Sequence, residues 1–356
     1  MGDDNGSSLV SNISTSACAR LLIPSLTGPT PALLFKEVAT PIILLFGIVG
    51  NLLSFIVMSS RILRRKSYSQ YLCALALFDS FNLVDREIRA VEELLESLGR
   101  PRLLQGLSTG GCKLHRFIQH VCVSMSSWII VLMAVERFVV IFFPFRRHVI
   151  CTPGRSVLAI MCALGLICLS QVFTLVMTKY SDLAERCTPH AQFNLIYTEL
   201  YTYFYLLCLI LLFPTAIIVV CNLAVVLKIS KYKRLREVIR SSDRSDQFIS
   251  RQGLKTTVML LTISSVYVLT FLPSVLSMFI IQVSIIEEKP TEETCGKLLA
   301  FQPYGHVLEV LSSINYGVNF YIYVLSGKAF RFELQKILRR DSSTASTRIR
   351  NDIEGL

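Results

Sequence analysis

The sequence predicts an all-α membrane protein, a seven-transmembrane helix bundle followed by a short amphipathic eighth helix. Three observations predict it. The 356 residues are 52% hydrophobic and only 17% charged, against roughly 25% charged in soluble domains, and the mean hydropathy is +0.54. Apolar runs that can supply the ~20 residues of a spanning helix recur seven times. The Lys and Arg residues sit in short clusters between those runs, as cytoplasmic loops do. The net charge of +11 therefore reflects loop asymmetry and attraction to membrane lipids, and a nucleic-acid partner is excluded.

The expected spans are 34–59, 68–90, 112–143, 156–178, 199–228, 254–284 and 304–325. They define an extracellular segment 1–33, a bundle 34–326, an amphipathic helix 327–338 and a cytoplasmic tail 339–356. Residues 1–33 have neither a basic start nor a long apolar run, so span 1 is itself expected to act as the insertion signal. The same segment holds the glycosylation acceptors Asn5 and Asn12, each in an Asn-x-Ser triplet. Span 2 is the least apolar, interrupted by Asp79, Asp85, Arg86, Glu87 and Arg89. It is retained because six spans would put strongly basic loops on opposite sides. With seven, RILRRK, FRRH, KISKYKRLREVIR and the tail after Lys328 share one side, which the positive-inside rule makes the cytoplasm. The glycosylation acceptors and the acidic stretches VEELLES and EEKPTEET share the other. The expectation is a multi-pass plasma-membrane protein with its amino terminus outside and its carboxyl terminus in the cytoplasm.

Span 3 closes on VLMAVERFVVIFFPF. Charges at mid-bilayer cost roughly 2.5–3.5 kcal/mol each, so Glu136 and Arg137 belong at its cytoplasmic end, with Pro144 just beyond. Glu136 orients and neutralises Arg137, which reaches toward neighbouring helices; the alternative is two charges snorkelling at a helix end. Four cysteines fall outside, Cys18, Cys112, Cys187 and Cys295, where disulfides persist, and four allow three connectivities.

Seven spans, an outside amino terminus and Glu-Arg-Phe at the end of span 3 together resemble the rhodopsin-like family of G-protein-coupled receptors, over residues 34–338. Gly50 and Asn51 resemble its span 1 signature, LALFDS with Asp79 its span 2 signature, and Phe271-Leu-Pro273 its Cys-Trp-x-Pro motif. Pro214 stands where span 5 carries its proline, and Asn319 to Tyr323 resembles Asn-Pro-x-x-Tyr, followed by the eighth helix. Cys112 lies 25 residues before Arg137, the family's interval for a cysteine bridged to the second outside loop, so the resemblance implies Cys112 with Cys187. That leaves Cys18 with Cys295, or two free thiols. The departures are Phe271 for tryptophan, Phe320 for proline, Asn222 for the span 5 tyrosine, no tryptophan in span 4, and Gly253 where some relatives pair an acid with the arginine. The resemblance implies that Glu136, Arg137, Asn222, Phe271, Pro273, Asn319 and Tyr323 serve activation and G-protein coupling.

It also implies an interior polar network of Asn51, Asp79, Ser126, Asn315 and Asn319, which in many members holds an allosteric sodium ion. A carboxylate with hydroxyl and amide oxygens suits a hard cation; the alternative is a protonated Asp79 in a metal-free hydrogen-bond network. The resemblance implies no other cofactor and no enzymatic activity. Counting helical steps from Asp79 puts Asn82, Arg86, Arg89 and Glu93 on one face of span 2, pointing into the bundle, with Glu309 of span 7 as an expected partner. The alternative is a self-contained set of salt bridges, Asp85 with Arg89 and Arg86 with Glu309.

Gln119 replaces the aspartate by which the family's monoamine receptors bind ammonium, and Ser313 replaces the opsin lysine, so amine and retinal are unexpected ligands. The remaining polar cavity is walled by Arg86, Arg89, Gln119, His120, Glu199, Tyr201, Tyr205, Gln282, His306 and Glu309. Carboxylates for basic groups and tyrosines for aromatic or cationic ones suit a peptide. The stretch INYGVNFYIYVLSGKAFR is similar to the tails of FMRFamide-type invertebrate neuropeptide receptors. The basic third loop suits the acidic and apolar end helix of a heterotrimeric G protein, or anionic lipid. The tail segment DSSTAST is an expected target of receptor kinases, whose phosphates would recruit arrestin. The alternatives are a seven-helix receptor that takes another ligand or, with its altered motifs, binds ligand without signalling, and then a seven-helix transporter or pump, which lacks support from internal repeats or a Schiff-base lysine.

Overall fold

The computed structural model describes residues 28–101, 103–104, 108–181, 186–238, 244–287 and 291–339. Asn5, Asn12, Cys18 and the tail from residue 340 lie outside them.

Among the described residues seven long helices pack side by side, and spans 1, 3, 4 and 7 each start at a capping hydroxyl. Span 1, Pro31–Met58, begins with Pro31 in its first turn, and Thr30 Oγ1 accepts from Leu33 N at 3.2 Å. A capping hydroxyl satisfies one otherwise orphaned helix N–H. Ser108 does the same for span 3 (Thr109–Phe142), Thr152 for span 4 and Thr291 for span 7. Span 2 is Ser67–Ser97, longer than expected by two turns at its acidic end, where Asp85, Arg89 and Glu93 find partners inside the bundle. Span 4 runs Pro153–Ser170, turns at Gln171 and resumes as Val172–Met177.

Span 5 departs most from expectation. Its half nearest Cys112 is a π-helical stretch, Leu200–Leu212, that continues as the α-helix Phe213–Val238. Widened turns free backbone carbonyls, and π segments concentrate at functional sites. One is answered from span 3: Trp128 Nε1 donates to Leu209 O at 3.0 Å. Span 6 is Arg244–Glu287 with Pro273 inside it. Span 7 is Glu292–Gly317, broken at Val318 and resumed as Asn319–Ser326; helix 8 follows over 328–339. Outside the helices, β1 (Thr178–Ser181) pairs antiparallel with β2 (Arg186–Pro189), a ribbon not anticipated from the sequence.

The distribution of polarity is inverted relative to a soluble protein. Leu166, Leu169, Val220 and Leu269 point outward, whereas Asn51, Asp79, Ser124, Ser126 and Asn315 are buried. Outward apolar side chains on every flank form a surface that only lipid can cover. Among the described residues five helices are long and apolar enough to cross a membrane; spans 2 and 7 cross as members of the bundle, with Asp79, Asp85, Glu93 and Glu309 engaged by neighbouring helices.

Spans 1 and 7 touch backbone to backbone. A Cβ on Gly50 would lie 2.9 Å from Phe320 Cβ, and one on Gly47 3.0 Å from Gly317 Cα. Small residues permit this approach in membranes, where packing replaces the hydrophobic effect. Phe320 thus fills the position of the missing proline by seating on Gly50, and it packs edge-to-face on Phe330 of helix 8 at 5.8 Å. We expect Gly50→Val to lower the stability of the purified protein by about 1–3 kcal/mol through overpacking. A thermal unfolding midpoint equal to the parent's would refute that contact.

Candidate functional site

At the Cys112 end of the bundle, charged side chains of spans 1, 2 and 7 gather between the helices, and the region they share with the aromatic side chains of spans 3 and 5 is the candidate chamber. Cys112 is joined to Cys187 of β2, with Cα atoms 5.7 Å apart, which ties the ribbon to span 3. Cys295 is also disulfide-bonded; its expected partner, Cys18, lies outside the described residues.

Two ionic groupings fill the chamber. In the first, Lys36 of span 1 is lodged between two carboxylates: it contacts Glu93 of span 2 and lies 2.5 Å from Glu309 Oε2 of span 7. Lys36 is 5% exposed, the carboxylates 33% and 28%, so the ammonium is enclosed while the acids stay partly accessible. His306, one helical turn before Glu309, sets its Nδ1 3.7 Å from Glu93 Oε1. In the second, Asp85 is surrounded. Arg89 Nε donates to it at 3.0 Å, Gln119 Nε2 at 3.1 Å, and His115 Nε2 lies 3.4 Å away.

Of the two salt bridges in the alternative reading, Asp85 with Arg89 forms and Arg86 with Glu309 does not. The Arg86 guanidinium reaches the backbone carbonyl of Glu309 at 3.4 Å, not its carboxylate, and lies over the Tyr316 ring at 5.5 Å, because Lys36 already holds the Glu309 acid. Lys36 was missed because it sits near the start of span 1, where a lysine reads as a snorkelling end group. A signal existed: Lys36, Thr40, Gly47, Gly50, Asn51 and Ser54 form the buried face of that helix.

The opposite wall is aromatic. Tyr197, Tyr201 and Tyr205 stack at 6.2 and 5.5 Å, and His120 of span 3 continues the ladder 4.4 Å from Tyr205. Tyr197 was also missed, although its four-residue spacing from Tyr201 and Tyr205 is visible in the sequence. Glu199 is exposed and does not join the wall; it ends the short α-helix Asn194–Glu199 that leads into the π-helical stretch, and lying two positions from Tyr197 and from Tyr201 it falls on the face opposite to theirs. Gln282 is half-buried in span 6 and joins neither grouping.

Below the chamber Asp79 is wholly buried. Ser126 Oγ donates to its Oδ1 at 2.5 Å and Asn319 Nδ2 to its Oδ2 at 2.7 Å, which ties spans 2, 3 and 7. Asn51 Nδ2 donates to Tyr316 O at 3.1 Å, while Asn51 Oδ1 and Asn315 Nδ2 are buried without a protein partner. Phe271 stacks on Tyr267 at 5.1 Å and meets Tyr316 edge-on, filling the span 6–span 7 seam where the family has tryptophan.

At the far end Arg137 and Glu136 are both buried, 2.5 Å apart. Glu136 also accepts from Ser67 Oγ at 2.9 Å, and the Arg137 guanidinium lies 5.7 Å from the Tyr68 ring centre. The pair is therefore packed against span 2 rather than snorkelling. Asn222 of span 5 donates to Ser264 Oγ of span 6 at 2.7 Å. Tyr323 is buried edge-on against Phe330.

A lipid-facing seven-helix bundle with a charged chamber at one end, a buried carboxylate midway and a buried arginine at the other is the architecture of a membrane receptor. Residues 50–323 match the family described as 7 transmembrane receptor (rhodopsin family), and the chain belongs to that family. It is similar to a probable G-protein coupled receptor of Caenorhabditis elegans, 24% identical over 331 residues that cover 86% of this chain and 70% of the relative. The protein is thus a multi-pass membrane receptor and not an enzyme, and its family implies a ligand and a G protein as partners.

Proposed function

We propose that this receptor lies in the plasma membrane with its amino terminus outside and its tail in the cytoplasm, binds an extracellular neuropeptide, and activates a heterotrimeric G protein. The observation that carries the ligand class is the pairing of walls in the chamber. Two carboxylates, Glu93 and Glu309, share a single ammonium and stay partly exposed, and a ladder of three tyrosines and a histidine stands on spans 3 and 5. A peptide carrying adjacent basic and aromatic residues, as RFamide-type peptides do, satisfies both walls. Asp85 is less available, its oxygens already held by Arg89, Gln119 and His115.

Ligand binding favours the conformer in which span 6 pivots at Pro273, the Asn222–Ser264 bond opens and Arg137 becomes accessible to the G protein. The shift is limited to the ligand's differential affinity for the two states. A sodium ion fits the middle of the bundle: the Asp79 carboxylate, Ser126 Oγ and the amide oxygens of Asn315 and Asn319 would hold it, and the orphaned Asn51 Oδ1 is a further oxygen nearby. Receptor kinases and arrestin act on the tail.

Glu309→Gln tests the anchor. With a basic peptide agonist, potency falls about tenfold or more, the worth of one charge-assisted contact, and unchanged potency rules Glu309 out as the ligand's counter-ion.

A further inference from the structure

We infer that Glu93, His306 and Glu309 form a divalent-cation site for which Lys36 is the built-in competitor. Four observations carry it, and none depends on the peptide reading. One oxygen of each glutamate and one imidazole nitrogen of His306 lie within 4.8 Å of one another, so a small closure of spans 2 and 7 brings all three onto one ion. His306 and Glu309 are three residues apart on one helix, which puts both ligands on the same face. His306 is itself buried, at 4% exposure. Finally, the position between the carboxylates is already a cation position: the Lys36 ammonium, buried and in contact with both Oε2 atoms, stands in it.

The donor set selects the ion. Two carboxylate oxygens and one imidazole nitrogen suit Zn²⁺ better than Ca²⁺ or Mg²⁺, which take oxygen-only shells. Three protein ligands leave a fourth position for water or a ligand atom. Zn²⁺ enters with two charges and the Lys36 ammonium leaves with one, so the grouping changes from net negative to neutral. The two occupants also differ in what they connect. Lys36 ties span 1 to spans 2 and 7, whereas the metal ties spans 2 and 7 alone and releases the end of span 1. The site is therefore an exchangeable clasp at the mouth of the chamber.

The test uses the purified full-length receptor in lipid nanodiscs with Zn²⁺ alone as the probe, read by equilibrium uptake and by the shift in thermal midpoint. We expect saturable binding of one ion per receptor that is lost in His306→Ala. Lys36→Met should bind at least about tenfold more tightly, since removing one partner of a buried pair leaves uncompensated charge for the metal to satisfy, and Zn²⁺ should raise its thermal midpoint more than the parent's. Binding that persists in His306→Ala, or no saturable uptake by the parent at millimolar metal, overturns the site. A Lys36→Met receptor that binds no more tightly than the parent overturns the competition. Should that variant fail to fold, the parent and His306→Ala still decide the site, and Lys36→Arg, which keeps the competing charge, should match the parent.

Discussion

Replacing Lys36 by methionine is expected to destabilise the receptor by about 3 kcal/mol, at the low end of the range for removing one partner from a buried ion pair. The ammonium is almost fully enclosed, but Glu93 and Glu309 each keep about a third of their surface, so solvent recovers part of the loss. The variant Lys36→Met with Glu309→Gln should regain most of it, because one of the stranded charges is gone. Thermal unfolding of the purified variants checks both. A loss below about 1 kcal/mol would show that the grouping contributes no more than a surface pair.

Asp79→Ala is expected to cost about 2–5 kcal/mol, since it strands the Ser126 hydroxyl and the Asn319 amide, each a buried donor worth ~1–3 kcal/mol when left without an acceptor. Asp79→Asn should cost about 1 kcal/mol. Its amide oxygen can still accept from Asn319, and its amide nitrogen can donate to Ser126, whose hydroxyl acts either way. The ordering matters more than the sizes. Equal losses in the two variants would mean that the charge of Asp79, and not its two hydrogen bonds, holds spans 2, 3 and 7 together.

The middle of the bundle was legible in the sequence because its residues are polar where the surroundings are apolar. Asp79, Ser126 and Asn319 stand out against Leu and Val, and the structure joins them directly. The seven-helix class was legible for the same reason. What escaped was set by tertiary contact. Lys36 differs from a snorkelling lysine only in the acids that spans 2 and 7 bring to it. The π-helical stretch of span 5 has no composition of its own: LYTYFYLLCLILL reads as an ordinary apolar helix. Phe320 likewise reads as a departure from the family until Gly50 is seen beneath it. The β1–β2 ribbon is a pair of four-residue strands, too short for a pattern of their own, and a disulfide to a residue 75 positions away ties it to span 3.

The central claim, that a peptide entering the chamber is read out through Arg137, is tested most directly by G-protein activation in cells expressing this chain, screened against a neuropeptide library with Arg137→Ala alongside. The account predicts a response to one family of peptides carrying adjacent basic and aromatic residues, lost in the Arg137 variant at equal surface expression. A response that survives Arg137→Ala, or ligand binding with no nucleotide exchange in the parent receptor, would contradict it.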